Sequence, residues 1–286
     1  VIDSKKTRRV APDLYSIKLK EGEEVEVKIE YMEMTRDATM QLAILEPEAR
    51  TAEKLAQIAK KGSEASGVYI SFKTKDNEKV NMKVGTSFID FDQARTNLDK
   101  EIGSKGFDEI SSMAKAEWNK AISKIQIEST ERNKEIFYTA MQRVQLTPRQ
   151  FTEDGYHYSA FNGRVVPGIM YSDYSLWDTF RALHPLLIFL SPDKVNEMIE
   201  GLLNSYDEGG WIPKWPSPGY SNIMHGTHGD AVIADAYIKG LRNYDVEKAM
   251  EAMMKNATQP GTGHYIARLG IEDFIKLGYV PTDKWG

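Results

Sequence analysis

The stretch Phe107–Ile125, FDEISSMAKAEWNKAISKI, decides the fold class of the second part of the chain. Its apolar residues recur at steps of three and four, which is the spacing of one face of an α-helix. We therefore predict a helix of about five turns. The apolar stripe consists of Phe107, Ile110, Met113, Ala114, Trp118, Ala121, Ile122 and Ile125.

The same spacing predicts further helices downstream. Ile136–Val144 forms one, and Pro148 ends it because proline lacks the amide that a helix needs. Ser191-Pro192 is a start signal, a cap followed by proline at the first helical position, and Gly209-Gly210 stops that helix. Its predicted buried residues are Val195, Met198, Ile199, Leu202 and Leu203. Three more helices are predicted at Asp230–Leu241, Val246–Asn256 and Ile271–Leu277.

Before residue 95 the apolar period is two. Residues alternate between apolar and polar in Val25–Ile29 and again in Val80–Val84, and Val68–Phe72 is rich in strand formers. This pattern predicts antiparallel strands with one face in water, with a helical interruption at Ala52–Lys61. Strands followed by helices indicate two domains. The aromatic, glycine-rich loop Gly209–Ser221 indicates a functional site on the loop side of paired helices.

Composition excludes several classes of protein. The 286 residues are 41% hydrophobic and 28% charged, which is typical of a globular chain. The net charge is −5, and Lys and Arg are scattered apart from a short run at Lys5–Arg9, so we expect no nucleic-acid partner. The absence of cysteine excludes disulfides and thiolate metal sites. No apolar run approaches the roughly 20 residues of a membrane span, and we expect any export signal to lie upstream of the polar start or to have been removed.

Several motifs resemble glycoside hydrolase family 92 and occur in that family's order. The most distinctive is YSLWDTFRALHPL at Tyr174–Leu186, and GGWIPKW at Gly209–Trp215 is similar to the family's glycine–aromatic loop. HGTHGDAVIADAYIKG at His225–Gly240 is similar to its histidine-containing loop and the helix that follows. The other matching segments are Val84–Leu98, Ile136–Phe151 and Gly155–Val165.

The resemblance implies a multi-domain α+β fold, with part of an antiparallel β-sandwich followed by the first helices of an (α/α)6 barrel. It implies three regions: residues 1–95 as the C-terminal part of the sandwich domain, 96–130 as a helical linker, and 131–286 as the N-terminal part of the catalytic barrel. It also implies exo-acting, inverting and calcium-dependent hydrolysis of α-mannosidic linkages in mannose-rich glycans, in the bacterial periplasm or outside the cell.

One departure from the family pattern changes the expectation for catalysis. The family's general acid lies in a GNEPSHH-type segment and its base in a DNGQMSAW-type segment, and neither segment occurs here. We therefore expect this chain to be a central fragment that contains no catalytic residue. Its partner would be the remainder of the same enzyme, and alone it should be inactive.

Trp177, Asp178 and Arg181 are the first candidate binding residues. At helical spacing Asp178 and Arg181 are neighbours, so an arginine-held carboxylate can accept hydrogen bonds from two sugar hydroxyls. The indole of Trp177 can cover the apolar face of a sugar ring. The alternative is a structural ion pair beside a core tryptophan.

The other candidates lie in the two downstream loops. Trp215, with Trp211, suits sugar stacking in a proline-stiffened loop, or else plugs the barrel mouth or packs between domains. His228 is a sugar contact or a structural histidine. With His225 and Asp230 it also forms H-x-x-H-x-D, which could bind zinc, although Asp230 is predicted to cap the next helix. His184, before a proline, is predicted to be structural. Three functions stay open: an α-mannosidase, a non-catalytic carbohydrate-binding module and a metal hydrolase.

Overall fold

The computed structural model describes residues 39–42, 65–68, 80–263 and 265–285. The chain divides into two compact units, Val1–Met82 and Lys83–Gly286. In the first unit, strands β1 (Thr39–Leu42) and β2 (Ala65–Val68) pair in parallel, with Thr39 opposite Ala65. The prediction of antiparallel pairing is wrong for these two strands. The two strands are too far apart in sequence to be joined by a two-residue hairpin, which is the connection that enforces antiparallel pairing.

Two further strand predictions have different outcomes. Val80–Val84 has no regular secondary structure, and Val80, Met82 and Val84 are about half exposed, so this strand prediction is wrong. Alternation predicts a strand only if a neighbouring strand accepts its hydrogen bonds, and the described residues place none beside this segment. The predicted strand at Val25–Ile29 and the predicted helix at Ala52–Lys61 lie outside the described residues.

The second unit begins with three helices. They are α1 (Phe91–Glu101), α2 (Phe107–Ile122) and α3 (Glu131–Arg143). The helices predicted from Phe107 and around Ile136 are confirmed. None of the residues of α2 is buried, however, and Phe107 is 79% exposed. The apolar stripe of α2 therefore faces outward in this structure.

Two small antiparallel pairs that the sequence analysis did not predict follow α3. Strand β3 (Arg149–Gln150) pairs with β6 (Tyr171–Ser172), and β4 (Tyr156–Tyr158) pairs with β5 (Val165–Pro167). Strand β6 leads directly into the next helix. This arrangement brings the YSLWDT segment beside the end of a short sheet.

The core lies among the five helices that follow. They are α4 (Leu176–Thr179), α5 (Leu183–Leu190), α6 (Pro192–Gly209), α7 (His228–Ile238) and α8 (Val246–Thr258). The prediction for α6 is confirmed, since Pro192 starts it, Gly210 ends it with φ 88°, and all five predicted core residues are buried. Each large buried apolar side chain contributes about 1.5–3 kcal/mol to folding.

The chain then forms α9 (Ile271–Leu277) and α10 (Thr282–Trp285), and the bounds of α9 are those predicted. Tyr265 and Ala267 form a second small apolar cluster with Trp211. The described part of the chain contains no helix that is both long enough and apolar enough to cross a membrane.

Candidate substrate-binding site

The turn between β6 and α4 positions the first candidate residues. Asp173 has φ 60°, a left-handed conformation that aspartate tolerates better than most residues. Its amide donates to the carbonyl of Pro216 at 3.1 Å, and its carboxylate accepts from Ser217 Oγ at 3.2 Å. Ser172 Oγ donates to the carbonyl of Pro218 at 3.2 Å. These bonds fix the turn against the tryptophan-containing loop.

Ser175, Asp178 and Trp215 form the centre of the candidate site. The indole Nε1 of Trp215 donates to Ser175 Oγ at 2.9 Å, and Ser175 Oγ donates to Asp178 Oδ2 at 2.5 Å. Asp178 is exposed, and Oδ1 has no hydrogen-bond donor among the described residues. One carboxylate oxygen is thus held by the protein while the other is available to a ligand.

The predicted pairing of Asp178 with Arg181 is wrong. Helix α4 ends at Thr179, so the two residues do not share a continuous helix that would bring their side chains together. The guanidinium of Arg181 lies instead over the ring of Phe180 at 4.4 Å and over that of Trp177 at 5.6 Å. Its role is therefore to cover two aromatic rings, while Ser175 holds the carboxylate.

His228 joins the same group of side chains through Phe180. The two rings stack with centroids 4.4 Å apart and planes 8° from parallel. Burial, together with the nearby charge of Arg181, lowers the pKa of His228, which favours the neutral imidazole near pH 7. Gly226 has φ 77°, and a Cβ there would lie 2.7 Å from Nε2 of His228, so the ring position requires glycine.

The five predicted binding residues therefore make up a set of two groups of contacting side chains. In one group Ser175 joins Trp215 to Asp178. In the other group Arg181 lies over Trp177 and Phe180, and Phe180 stacks on His228. Both groups include a residue of α4, since Trp177 and Asp178 lie on that helix. Trp177 is 39% exposed and Trp215 is half-buried, so both indoles combine support from the protein with accessible surface. An exposed carboxylate beside two accessible indoles suits a ligand that carries hydroxyls on an apolar ring.

Trp211 is not part of this set. It is 2% exposed, its Nε1 donates to Thr262 Oγ1 at 3.1 Å, and its ring packs on that of Tyr265. The ammonium of Lys255 lies 4.6 Å from its ring centroid. The Trp211 ring is therefore covered by the protein itself and is not available for sugar stacking.

The interpretation of His225, His228 and Asp230 as a zinc site is not supported. Among the described residues, which include these three, no group of three or more His, Cys, Asp or Glu side chains could hold a metal ion. His228 is the first residue of α7, and Asp230 accepts from Asn256 Nδ2 at 2.9 Å. Thr227, not Asp230, occupies the cap position, so the predicted cap is wrong. Burial raises the pKa of Asp230 to about 6.

Three features that sequence reasoning missed or left open are visible in the structure. Ser175 is a bridge between two predicted residues. Lys214 is only 5% exposed, burial lowers its pKa, and the described residues include no hydrogen-bond or ion-pair partner for it. His157 is fully buried and contacts Glu208. The S-x-x-D spacing of Ser175 and Asp178 is a sequence signal that could have drawn attention to Ser175.

The helix-rich second unit presents the exposed carboxylate of Asp178 on α4, with one oxygen held by Ser175. Residues 93–286 match the glycosyl hydrolase family 92 catalytic domain, and the chain belongs to this family. The family GH92 inverting mannosidase BT2199 from Bacteroides thetaiotaomicron VPI-5482 superimposes with a TM-score of 0.67 at 36% identity, over 69% of this chain and 28% of that one. The family GH92 α-mannosidase BT3965 from Bacteroides thetaiotaomicron gives a TM-score of 0.63 at 29% identity, over 69% and 27%.

A curated relative shows the same partial coverage. It is an uncharacterized secreted glycosidase from Arthroderma benhamiae, 25% identical over 230 residues, which are 77% of this chain and 26% of that protein. The chain thus spans about a quarter of the length of the proteins that it matches.

Proposed function

We propose that the full-length protein is an exo-acting α-mannosidase that cleaves α-mannosidic linkages in mannose-rich glycans with inversion. The observation that carries this proposal is the exposed carboxylate of Asp178, which Ser175 connects to Trp215, with one oxygen anchored and the other available. A carboxylate oxygen has two lone pairs and can accept from two adjacent sugar hydroxyls. Membership of family 92 and the likeness to two mannosidases support mannose as that sugar.

Each predicted residue has a role in this proposal. Asp178 accepts hydrogen bonds from the bound sugar, and the faces of Trp177 and Trp215 cover its apolar surface. Arg181 keeps the Trp177 indole in place by stacking on it. His228, held neutral and stacked on Phe180, supplies a polar ring edge to the same sugar.

The acid and base belong to the remainder of the same enzyme in this proposal. An inverting glycosidase holds its two carboxyl groups roughly 6.5–9.5 Å apart to admit a water molecule. Residues 1–95 would be part of the β-sandwich, 96–130 the helical linker, and 131–286 the first part of the (α/α)6 barrel that carries the sugar-binding side of the site.

Calcium dependence is proposed for the full-length enzyme only. The described part of this chain offers no carboxylate cluster that would fit a calcium ion, so the ligands would come from elsewhere and no step above uses the ion. The relative from Arthroderma benhamiae is named as secreted, and we propose action in the periplasm or outside a bacterial cell.

Hydrolysis of an aryl α-mannoside by the full-length protein tests the proposal. We expect turnover with release of β-mannose, detected by NMR of the first-formed anomer, and no turnover of the matched α-glucoside. The 286-residue chain alone should show none. If the full-length protein binds mannose without hydrolysing any mannoside, the carbohydrate-binding module is the correct function. Turnover by the 286-residue chain alone would contradict the assignment of acid and base to other segments.

A further inference from the structure

We propose that Ser175 is a positioning residue of the candidate site, and that its hydroxyl orients Asp178 by connecting it to the indole N–H of Trp215. This inference rests on the proposed function, because it concerns how the sugar-binding carboxylate is held. It assigns Ser175 a role that neither its residue type nor its place at the start of a helix would suggest.

Ser175 occupies a position where serine usually caps a helix. It precedes α4, and Ser175-x-x-Asp178 has the spacing of a capping box, in which the hydroxyl accepts from the third helical amide. That bond is not formed here. The amide of Asp178 donates to the backbone carbonyl of Ser175 at 2.9 Å, and the hydroxyl makes no capping bond. The hydroxyl is therefore free for its two side-chain partners.

The direction of each hydrogen bond in the bridge follows from the chemistry of the three groups. The indole of Trp215 can only donate, and an ionised carboxylate can only accept. Ser175 Oγ must therefore accept from Trp215 Nε1 at 2.9 Å and give its proton to Asp178 Oδ2 at 2.5 Å. Each bond polarises the other, which strengthens both. No other arrangement of the hydroxyl proton satisfies both partners.

The backbone holds the ends of the bridge in place independently of the hydroxyl. The amide of Asp173 bonds to the carbonyl of Pro216, and Ser221 Oγ donates to the carbonyl of Trp215 at 2.5 Å. Removing the Ser175 hydroxyl should therefore leave the turn and the loop together while freeing the Asp178 side chain to rotate. Because the turn and the loop stay in place, a loss of activity can be assigned to the lost orientation of the Asp178 side chain.

The bridge also determines what each side chain offers to a sugar. Because Trp215 Nε1 is used by Ser175, the indole can present its ring face but not its N–H donor. Because Oδ2 of Asp178 is used, the sugar meets Oδ1 in one orientation. A carboxylate with a fixed direction loses less conformational freedom when it binds, so it binds more tightly.

The test compares Ser175→Ala and Ser175→Thr in the full-length protein, with Ser112→Ala as the control. Ser112 is exposed on α2, and its hydroxyl donates to the backbone carbonyl of Asp108 at 2.8 Å, away from the candidate site residues. We expect Ser175→Ala to lower kcat/KM for an aryl α-mannoside about 10-fold, Ser175→Thr to restore it to within about 3-fold of wild type, and Ser112→Ala to leave it unchanged. The Trp215 indole proton, assigned in NMR spectra with Trp215→Phe, should move upfield in Ser175→Ala only.

Ser175→Val supplies a second comparison, because valine matches threonine in shape and lacks only the hydroxyl. A Val variant as active as the Thr variant, or an unchanged indole signal in Ser175→Ala, would overturn the inference. The outcomes also separate it from the proposed function. An inactive wild type contradicts the proposed function, whereas an active wild type with a fully active Ser175→Ala variant contradicts only the role of Ser175.

Discussion

Nε2 of the buried His157 lies 2.8 Å from Oε1 of Glu208, and Nδ1 lies 2.9 Å from the carbonyl oxygen of Gly168. A carboxylate and a carbonyl oxygen both accept hydrogen bonds, so this arrangement favours the doubly protonated ring, in which both nitrogens donate. Burial alone would lower the pKa of His157, but the bonds to Glu208 and Gly168 raise it above its usual value. The pair ties the β4–β5 hairpin to the carboxyl end of α6.

Glu208→Gln tests this pair through the pH dependence of stability. A histidine whose pKa is raised on folding stabilises the protein fully below its unfolded pKa of about 6.5, and this contribution is lost as pH rises through the folded pKa. We expect the variant to lose about 1–3 kcal/mol of unfolding free energy at pH 6, and less at pH 9. Denaturant unfolding at both pH values measures this.

Glu247→Gln is the control for that comparison, because Glu247 is exposed on α8 and the substitution makes the same loss of charge. It should change stability little at either pH. Equal losses for Glu208→Gln at pH 6 and pH 9 would show that His157 is not charged in the folded state.

His184 should have the opposite pH dependence. It is 2% exposed, its ring nitrogens have no partners among the described residues, and burial, partly offset by Asp235, lowers its pKa to about 4. The unfolded chain therefore binds a proton between about pH 6.5 and 4 that the folded chain does not, and stability falls as pH falls. At pH 5 this difference in proton binding lowers the unfolding free energy of the wild-type protein by on the order of 2 kcal/mol.

His184→Leu should remove that loss. We expect the stability of the variant, relative to wild type, to improve by about 2 kcal/mol between pH 7 and pH 5, because leucine binds no proton. Thermal unfolding at the two pH values provides the measurement. A constant difference between variant and wild type would mean that His184 finds a hydrogen-bond partner.

The stack of Arg181, Phe180 and His228 leads us to predict how the pKa of His228 changes when Arg181 is replaced. Since burial and the charge of Arg181 both lower the pKa of His228, Arg181→Met should raise that pKa while keeping an apolar chain over Phe180. An NMR titration of the histidine ring protons checks it. Arg132→Met, on the exposed face of α3, is the control, and an equal shift in both variants would contradict a local effect.

The helices were predictable because their sequence signals are local. Pro192 and Gly210 mark both ends of α6, and the spacing from Val195 to Leu203 gives its buried face. The strand predicted at Val80–Val84 is absent, because alternation carries no information about the partner that a strand needs. For the same reason the sequence predicted antiparallel pairing where β1 and β2 are parallel.

The site was predictable as a set of residues but not as a set of contacts. Trp177 and Asp178 were chosen from the distinctive segment Tyr174–Leu186, and Trp215 was chosen from the proline-stiffened loop downstream. Pairing of Asp178 with Arg181 assumed a continuous helix, and the end of α4 at Thr179 removes that assumption. The bridge through Ser175 joins residues 40 positions apart, and such a contact depends on tertiary structure alone.

The central claim is that the charge of Asp178 binds the sugar, and kcat/KM of Asp178→Asn in the full-length protein tests it most directly. Asparagine keeps the shape and can still accept from Ser175, so the melting temperature should change little. We predict a fall in kcat/KM for an aryl α-mannoside of about 10- to 1000-fold, which corresponds to roughly 1.4–4 kcal/mol of lost transition-state stabilisation. Asp99→Asn, an exposed aspartate on α1, should keep wild-type activity. A large loss of stability with intact specific activity would contradict the claim and make Asp178 a structural residue.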